Sequence, residues 1–136
     1  MQYKIKIFCV GRRHPSWLDE ALSLYEKRLK SYCIYEWVIV KTDKELIGKL
    51  DKLQYICFDP YGKSYFSETF SALLESKVSW NFVIGGADGL PEVVRKGAIE
   101  LISLSQFTFP HELVRLLITE QIYRALEISK GSAYHK

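Results

Sequence analysis

Long apolar runs are missing from this chain of 136 residues, and with them any segment able to cross a bilayer as a helix. The apolar patch near the N-terminus is only a few residues long, too short for the core of a secretory signal. A soluble, cytoplasmic protein with no membrane partner is therefore expected. Cysteine is scarce: Cys9, Cys33 and Cys57 make no CxxC pair, and their odd number argues against both a disulfide framework and a zinc site. The histidines His14, His111 and His135 lack the spacing of metal ligands, and none follows a Ser or Cys in a nucleophile-elbow motif, so neither metal nor covalent catalysis is expected. A charge imbalance is also lacking, since 19 Lys+Arg against 16 Asp+Glu leave +3, which permits a polyanionic partner without requiring one. Internal repeats, low-complexity tracts and linkers are absent, so residues 1–136 read as one domain.

What is present is a composition, 48% hydrophobic, that can close a core without disulfides or metals. Residues 4–10 alternate and then turn fully apolar, as a strand entering a sheet does, and Gly11 ends them. Ser16 with Asp19 has the form of a capping box, and Trp17, Leu18, Ala21, Leu22, Tyr25 and Leu29 follow at helical spacing, predicting a helix over 16–30. Residues 35–40 read as a second strand, 42–52 as a short helix, and 55–58 as a buried strand ending in the turn Asp59-Pro60-Tyr61-Gly62. Ser67 is expected to cap a helix to about residue 76, with Phe70, Leu73 and Leu74 inward. A strand over 80–84 stops at Gly85-Gly86, Pro91 starts a short helix, 101–104 form a fifth strand, and a long helix runs from 111 to about 129. Such alternation implies an α/β fold, a mainly parallel sheet with helices on both faces, whose ligands sit at the carboxyl ends of the strands. The loops at 11–15, 59–64 and 85–91 occupy those ends.

Two of the stretches near strand ends could carry chemistry. Ile84-Gly85-Gly86-Ala87-Asp88-Gly89-Leu90-Pro91 lets a ligand approach the backbone where a Cβ would collide, although a turn with no ligand reads the same, because GxGxxG and the P-loop lysine are both missing. Leu104-Ser105-Gln106-Phe107-Thr108-Phe109-Pro110-His111 could wrap a flat ring such as adenine, with Leu104, Phe107 and Phe109 on the faces, yet packing under a helix accounts for the same residues. In the last helix Leu113, Val114, Leu116, Leu117, Ile118, Ile122, Tyr123, Ala125, Leu126 and Ile128 point in nearly all directions, which implies the sheet on one side and a second copy of the chain on the other. A homodimer is expected. Glu120 and Arg124, four apart, read as an ion pair, and Ala133-Tyr134-His135-Lys136 as a frayed tail.

Taken together, IGGADGL, LSQFTFPHELVRLLITEQIYRA and a terminal YHK resemble the 23S rRNA pseudouridine N3-methyltransferase family (RlmH), of the SPOUT class. The likeness covers essentially the full chain, including the VG that ends the first strand and the FDPYGK after the third. It implies a C-terminal trefoil knot, which general topology rules would never suggest, with the knotted region forming the dimer interface. It also implies an S-adenosylmethionine site at Phe58, Gly85, Leu104, Ser105, Gln106, Phe107, Thr108 and Phe109. By the same likeness Tyr134, His135 and Lys136 would lie over the acceptor base with Arg124 beside them, His135 taking the proton, and His111 and Arg115 would line the site. Arg12, Arg13, Lys63, Arg115, Lys130 and Lys136 would then meet the RNA.

The acceptor the family implies is N3 of a pseudouridine in a stem-loop of large-subunit rRNA, presented on the subunit or the assembled ribosome. Two departures from the family pattern stand out. The connection over 41–54 is shorter than in typical members, and Ala133 and Lys136 stand where members often carry proline and arginine, lysine keeping the charge but losing the fork. A SPOUT enzyme acting on tRNA, a ribosome-binding module without transfer activity, and a flavodoxin-like nucleotide binder are the rival readings.

Overall fold

The computed structural model describes residues 2–136. Strands and helices alternate along them: β1 (Tyr3–Val10), α1 (Ser16–Leu29), β2 (Cys33–Val40), α2 (Asp43–Leu50), β3 (Ile56–Ser64), α3 (Ser67–Glu75), β4 (Ser79–Ile84), α4 (Glu92–Gly97), β5 (Glu100–Ser103) and α5 (His111–Lys130). Every strand pairing is parallel, and the sheet order is β2-β1-β4-β3-β5. This is the α/β architecture expected, with helices on both faces. Strand periodicity of two decides which face each side chain serves. Ile5, Ile7, Cys9, Phe82 and Ile84 point into one core layer, which also holds Leu29, Phe70, Ile118 and Ile122 of α1, α3 and α5. Phe8, Cys57 and Val83 point the other way, against Leu46 and Leu50 of α2 and Val94 of α4. Each such side chain, fully buried, stabilises the fold by roughly 1.5–3 kcal/mol before entropy is charged.

Between β1 and β4 the connections part in opposite directions, β1 leading to β2 on one side and β4 leading by α4 to β5 at the far edge. Such a switch point opens a crevice at the carboxyl ends of the two strands. The two loops leaving it nearly touch: a Cβ on Gly86 would lie 3.0 Å from the Val10 carbonyl oxygen, so only glycine admits the approach without a shift.

β3 runs further than its apolar core suggests. After Phe58 pairs with Ile102, the chain bulges out over 59–62 and Lys63 pairs with Ile102 again. Asp59 stitches the bulge, accepting the Tyr61 amide at 2.9 Å and the Arg95 Nε at 2.9 Å. At Gly62 a Cβ would lie 2.5 Å from the Leu101 backbone carbon, which is why the turn sequence after β3 carries glycine there.

The starts of two helices differ from expectation. Pro15 and Phe66 occupy the N-cap positions of α1 and α3 with no side-chain cap, so Ser16 and Ser67 are the first helical residues. Ser67 Oγ instead donates to Gln121 Oε1 of α5 at 2.7 Å, and the Phe66 amide is taken up by Thr69 Oγ1 at 3.0 Å. Of the residues at helical spacing in α1, Leu18, Leu22 and Leu29 are buried and Trp17 is half-exposed.

α5 lies between α1 and α3 on the sheet. Ser71 Oγ of α3 donates to the Ala125 carbonyl of α5 at 2.6 Å, and the small residues at that point let the helices close. From residue 111 to residue 128 no side chain of α5 is fully exposed. The chain's own helices thus take up part of the apolar circumference that periodicity alone assigned to a second copy. Gly131, at φ +79°, ends the helix in a left-handed turn whose amide reaches the Ile128 carbonyl at 3.0 Å, sending the tail back along α5.

Candidate active site

The switch-point crevice holds a cavity of about 230 Å³. The turn after β4 forms its floor: Gly89, at φ +80°, bonds back to the Gly86 carbonyl at 3.1 Å, and a Cβ on Gly85 would lie 3.0 Å from the Gly89 backbone. Phe58 and residues 104–109 close the sides. Of the residues expected to hold the cofactor, Phe58, Gly85, Leu104, Ser105, Phe107, Thr108 and Phe109 line this cavity, and Gln106 does not. The 104–109 loop is shaped by its own hydroxyls, Ser103 Oγ donating to the Ser105 carbonyl at 3.1 Å and Ser105 Oγ accepting the Phe107 amide at 3.0 Å. Backbone groups on an irregular loop, apolar side chains on either side and a glycine floor suit a flat heterocycle carrying a chain. A second cavity of about 310 Å³ shares the wall of Phe58, Leu104, Ser105 and Phe109 and extends past Tyr65, Phe66 and Ser67 to Gln121.

The tail beyond Gly131 is packed. Arg124 grips Glu120 with two nitrogens, at 2.8 and 3.3 Å, and stacks 4.9 Å from the centre of the Tyr134 ring. Tyr134 donates to Glu120 Oε2 at 2.7 Å and meets Tyr123 edge-on at 4.9 Å. Burial, then the bond to Glu120, pushes the Tyr134 phenol well above its ordinary value, so it stays protonated and acts as a donor. Arg124 Nη1 lies 3.0 Å from His135 Nδ1, and His135 Nε2 lies 2.8 Å from Glu68 Oε2. An arginine can only donate, so a neutral His135 carries its lone pair on Nδ1 and gives its Nε2–H to Glu68. The hydrogen bond from His135 in turn holds the Glu68 carboxyl below the usual carboxylate range. Sequence reading brought Tyr134, His135 and Arg124 together but missed Glu68, which sits on α3, 67 residues from its partner.

The cationic residues divide. Arg12, Arg13, Lys63, Lys130 and Lys136 are exposed, Lys63 with its ammonium 5.1 Å from the Tyr65 ring centre. Arg115 is 1% exposed, which corrects its expected place at an RNA surface. Its Nη1 donates to the Arg12 carbonyl at 2.9 Å and to His14 Nδ1 at 3.2 Å, while Nε and Nη2 are buried without a partner. Arg115 therefore holds the loop after β1 from inside, and Arg12 and Arg13 face out from it. Burial, then the Arg115 charge, lowers the His14 pKa, as accepting a guanidinium proton requires. His111 lines the smaller cavity, 3.9 Å from where a Gly11 Cβ would stand. No group of His, Cys, Asp and Glu among the described residues could hold a metal ion.

Comparison with known proteins bears on this arrangement. A family model described as "Predicted SPOUT methyltransferase" matches residues 3–135. The chain is 40% identical to a protein of Protochlamydia amoebophila, over 98% of this chain and 99% of that one. It is 38% identical to one of Caldicellulosiruptor saccharolyticus over 97% and 99%, and 36% identical to one of Prochlorococcus marinus over 98% and 96%. All three relatives carry the name "Ribosomal RNA large subunit methyltransferase H". A parallel five-stranded sheet, a glycine-floored crevice at its switch point and a match over nearly the whole length agree: the chain belongs to the SPOUT methyltransferase family.

Proposed function

We propose that this protein methylates N3 of a pseudouridine in 23S rRNA of the large ribosomal subunit, with S-adenosylmethionine as donor. The observation that carries the reading is the adjacency of two built parts. One is the glycine-floored cavity lined by all but one of the residues the family likeness assigns to the cofactor. The other is the bonded cluster of Arg124, Tyr134 and His135, joined through Glu68 and Glu120 to elements that rim the neighbouring cavity.

S-adenosylmethionine fits the smaller cavity in kind: the close approach at Gly85 leaves room for no side chain, and Leu104, Phe107 and Phe109 offer apolar faces around free backbone groups. When bound, it supplies an electrophilic methyl group on a sulfonium. The chain's own residues have two further tasks, to hold the acceptor ring in line and to remove the imide proton of N3. His135 Nδ1 has the lone pair for the second, with Glu68 fixing its tautomer. Arg124, which donates to that nitrogen in the free protein, is placed to turn to the anionic oxygen left on the ring. Tyr134, held neutral, stacks or donates but takes no proton. Arg12, Arg13, Lys63, Lys130 and Lys136 meet phosphates.

The working unit on this reading is residues 1–136 as one domain, a cytoplasmic homodimer. Support for the dimer comes from apolar side chains that the single chain leaves partly uncovered: Trp17 and Leu24, seven apart on α1 and about half exposed, and Leu113, Leu116 and Leu117 of α5, which are only partly buried. The knot the family carries is supported by the return of α5 from the sheet edge at β5 to its seat between α1 and α3.

Transfer of tritium from labelled S-adenosylmethionine to ribosomes lacking the modification is the test. Label at one pseudouridine of 23S rRNA is the expected result. Label on tRNA would favour a different SPOUT substrate, and none at all would leave a ribosome-binding module.

A further inference from the structure

The most exposed large apolar side chains of the described residues are three aromatics: Tyr61 at 88%, Phe107 at 81% and Phe66 at 78%, with no other large hydrophobic residue above 59%. They do not scatter. Phe107 rims the smaller cavity and Phe66 the larger one, and Tyr61 follows Pro60, which lines the smaller. The two loops that carry them flank the wall the cavities share. Such exposure is not the rule for aromatics around these cavities, since Phe70 is buried and Phe58 and Tyr65, which line the larger one, are partly buried. Lys63 stands on β3 just past the bulge that carries Tyr61, while the nearby carboxylates are already engaged, Asp59 by Arg95, Glu68 by His135 and Glu100 by Tyr65. Aromatic faces in the open beside an exposed ammonium, with the neighbouring carboxylates held by partners of their own, form a surface for unpaired nucleobases, because every base has a π-face and RNA is read in its splayed single strands.

We propose that Tyr61, Phe66 and Phe107 form a stacking platform for the unpaired bases flanking the acceptor nucleotide, with Lys63 on the phosphate between them. The proposal rests on the reading of the protein as an rRNA methyltransferase and adds the surface that presents the loop to the site. Because the three side chains are exposed, their removal leaves the core intact, which a thermal melt checks.

The experiment compares the wild type with Tyr61→Ala, Phe66→Ala, Phe107→Ala, the triple variant, Phe66→Trp and Lys63→Ala. Tyr61→Ala and Phe66→Ala are each expected to raise KM for ribosomal subunits roughly tenfold, with kcat and the affinity for S-adenosylhomocysteine within about twofold of wild type, whereas Phe107→Ala, whose ring also lines the cofactor cavity, raises KM and weakens S-adenosylhomocysteine as well. Phe66→Trp keeps the wild-type KM. The aromatic variants keep the salt dependence of RNA binding, whereas Lys63→Ala lowers its slope by about one. A stem-loop carrying 2-aminopurine at each unpaired position in turn is quenched by the wild type at one or more positions and not by the triple variant. This arm does not depend on turnover, so it judges the platform even if no methyl group reaches rRNA. An unchanged KM together with unchanged quenching in the triple variant overturns the platform. So does a shift of that variant from dimer to monomer in sedimentation velocity, which would assign the aromatics to a contact between copies.

Discussion

At the scale of single residues the site is a matter of which atom holds a proton. His135 offers Nδ1 only while Nε2–H is engaged, and Glu68 engages it across a distance no sequence window spans. His135→Ala is expected to lower kcat at least a hundredfold with an unchanged melting temperature, and near wild-type turnover would end the general-base assignment. Glu68→Gln, measured alone and on the His135→Ala background, should cost several-fold alone and nothing further in the double variant, the signature of two residues acting through one interaction. His14 gives a separate test on stability. Its pKa lies below 6.5, so as pH falls through 6.5 the unfolded chain takes up a proton that the folded chain resists. Stability is complete above that pH and declines below it. The urea midpoint of the wild type should fall between about pH 7 and pH 5, and His14→Gln should remove part of that slope. Sequence reading reached Tyr134, His135 and Arg124 through motif likeness, because they sit in contiguous blocks. Arg115 looked like an RNA contact because a cation in a helix gives no sign of which way it faces, and only the folded loop after β1 shows it turned inward.

At the scale of elements, pattern and position part company. Apolar pattern was enough for the strands and most helices, since each buries a side that must repeat at two or 3.6 residues, while the short helix α4 was read from Pro91. Their ends were less readable. Ser16 and Ser67 have the chemistry of caps, yet proline and phenylalanine stand at those positions, and Ser67 spends its hydroxyl on α5. The extension of β3 through a bulge was hidden as well, because Asp59-Pro60-Tyr61-Gly62 spells a turn and its re-pairing with β5 is a long-range event. Two glycines carry the consequence. Gly62→Ala drives a Cβ into the backbone of β5 and is expected to cost at least about 2 kcal/mol, read as a lowered urea midpoint. Gly131→Ala meets open space but a left-handed backbone, so about 1 kcal/mol is expected in stability. The fall in kcat should exceed that loss, because the turn aims the tail.

For the whole molecule, the parallel sheet and its two helical layers were legible, while the strand order was not: nothing local tells β4 to insert between β1 and β3. That insertion creates the crevice. The same packing seals the thiols. Burial pushes Cys9 and Cys57 up to about 12 and Cys33 to about 11, so none forms a thiolate at neutral pH. Native protein should resist iodoacetamide for hours, and unfolded protein should take three labels.

α5 then has a role beyond filling the core. Its first half touches the smaller cavity through His111 and Val114 and holds the loop of Arg12 through Arg115. Its second half carries Arg124 and the turn to His135. A helix of 20 residues moves as a rod about 30 Å long, so a ligand that tilts it at one end is felt at the other. On the proposed function, cofactor and RNA affinities are then expected to be linked, and linkage is symmetric. Whatever factor S-adenosylhomocysteine adds to the hold on RNA, RNA must add to the hold on S-adenosylhomocysteine, two numbers that independent titrations can set side by side.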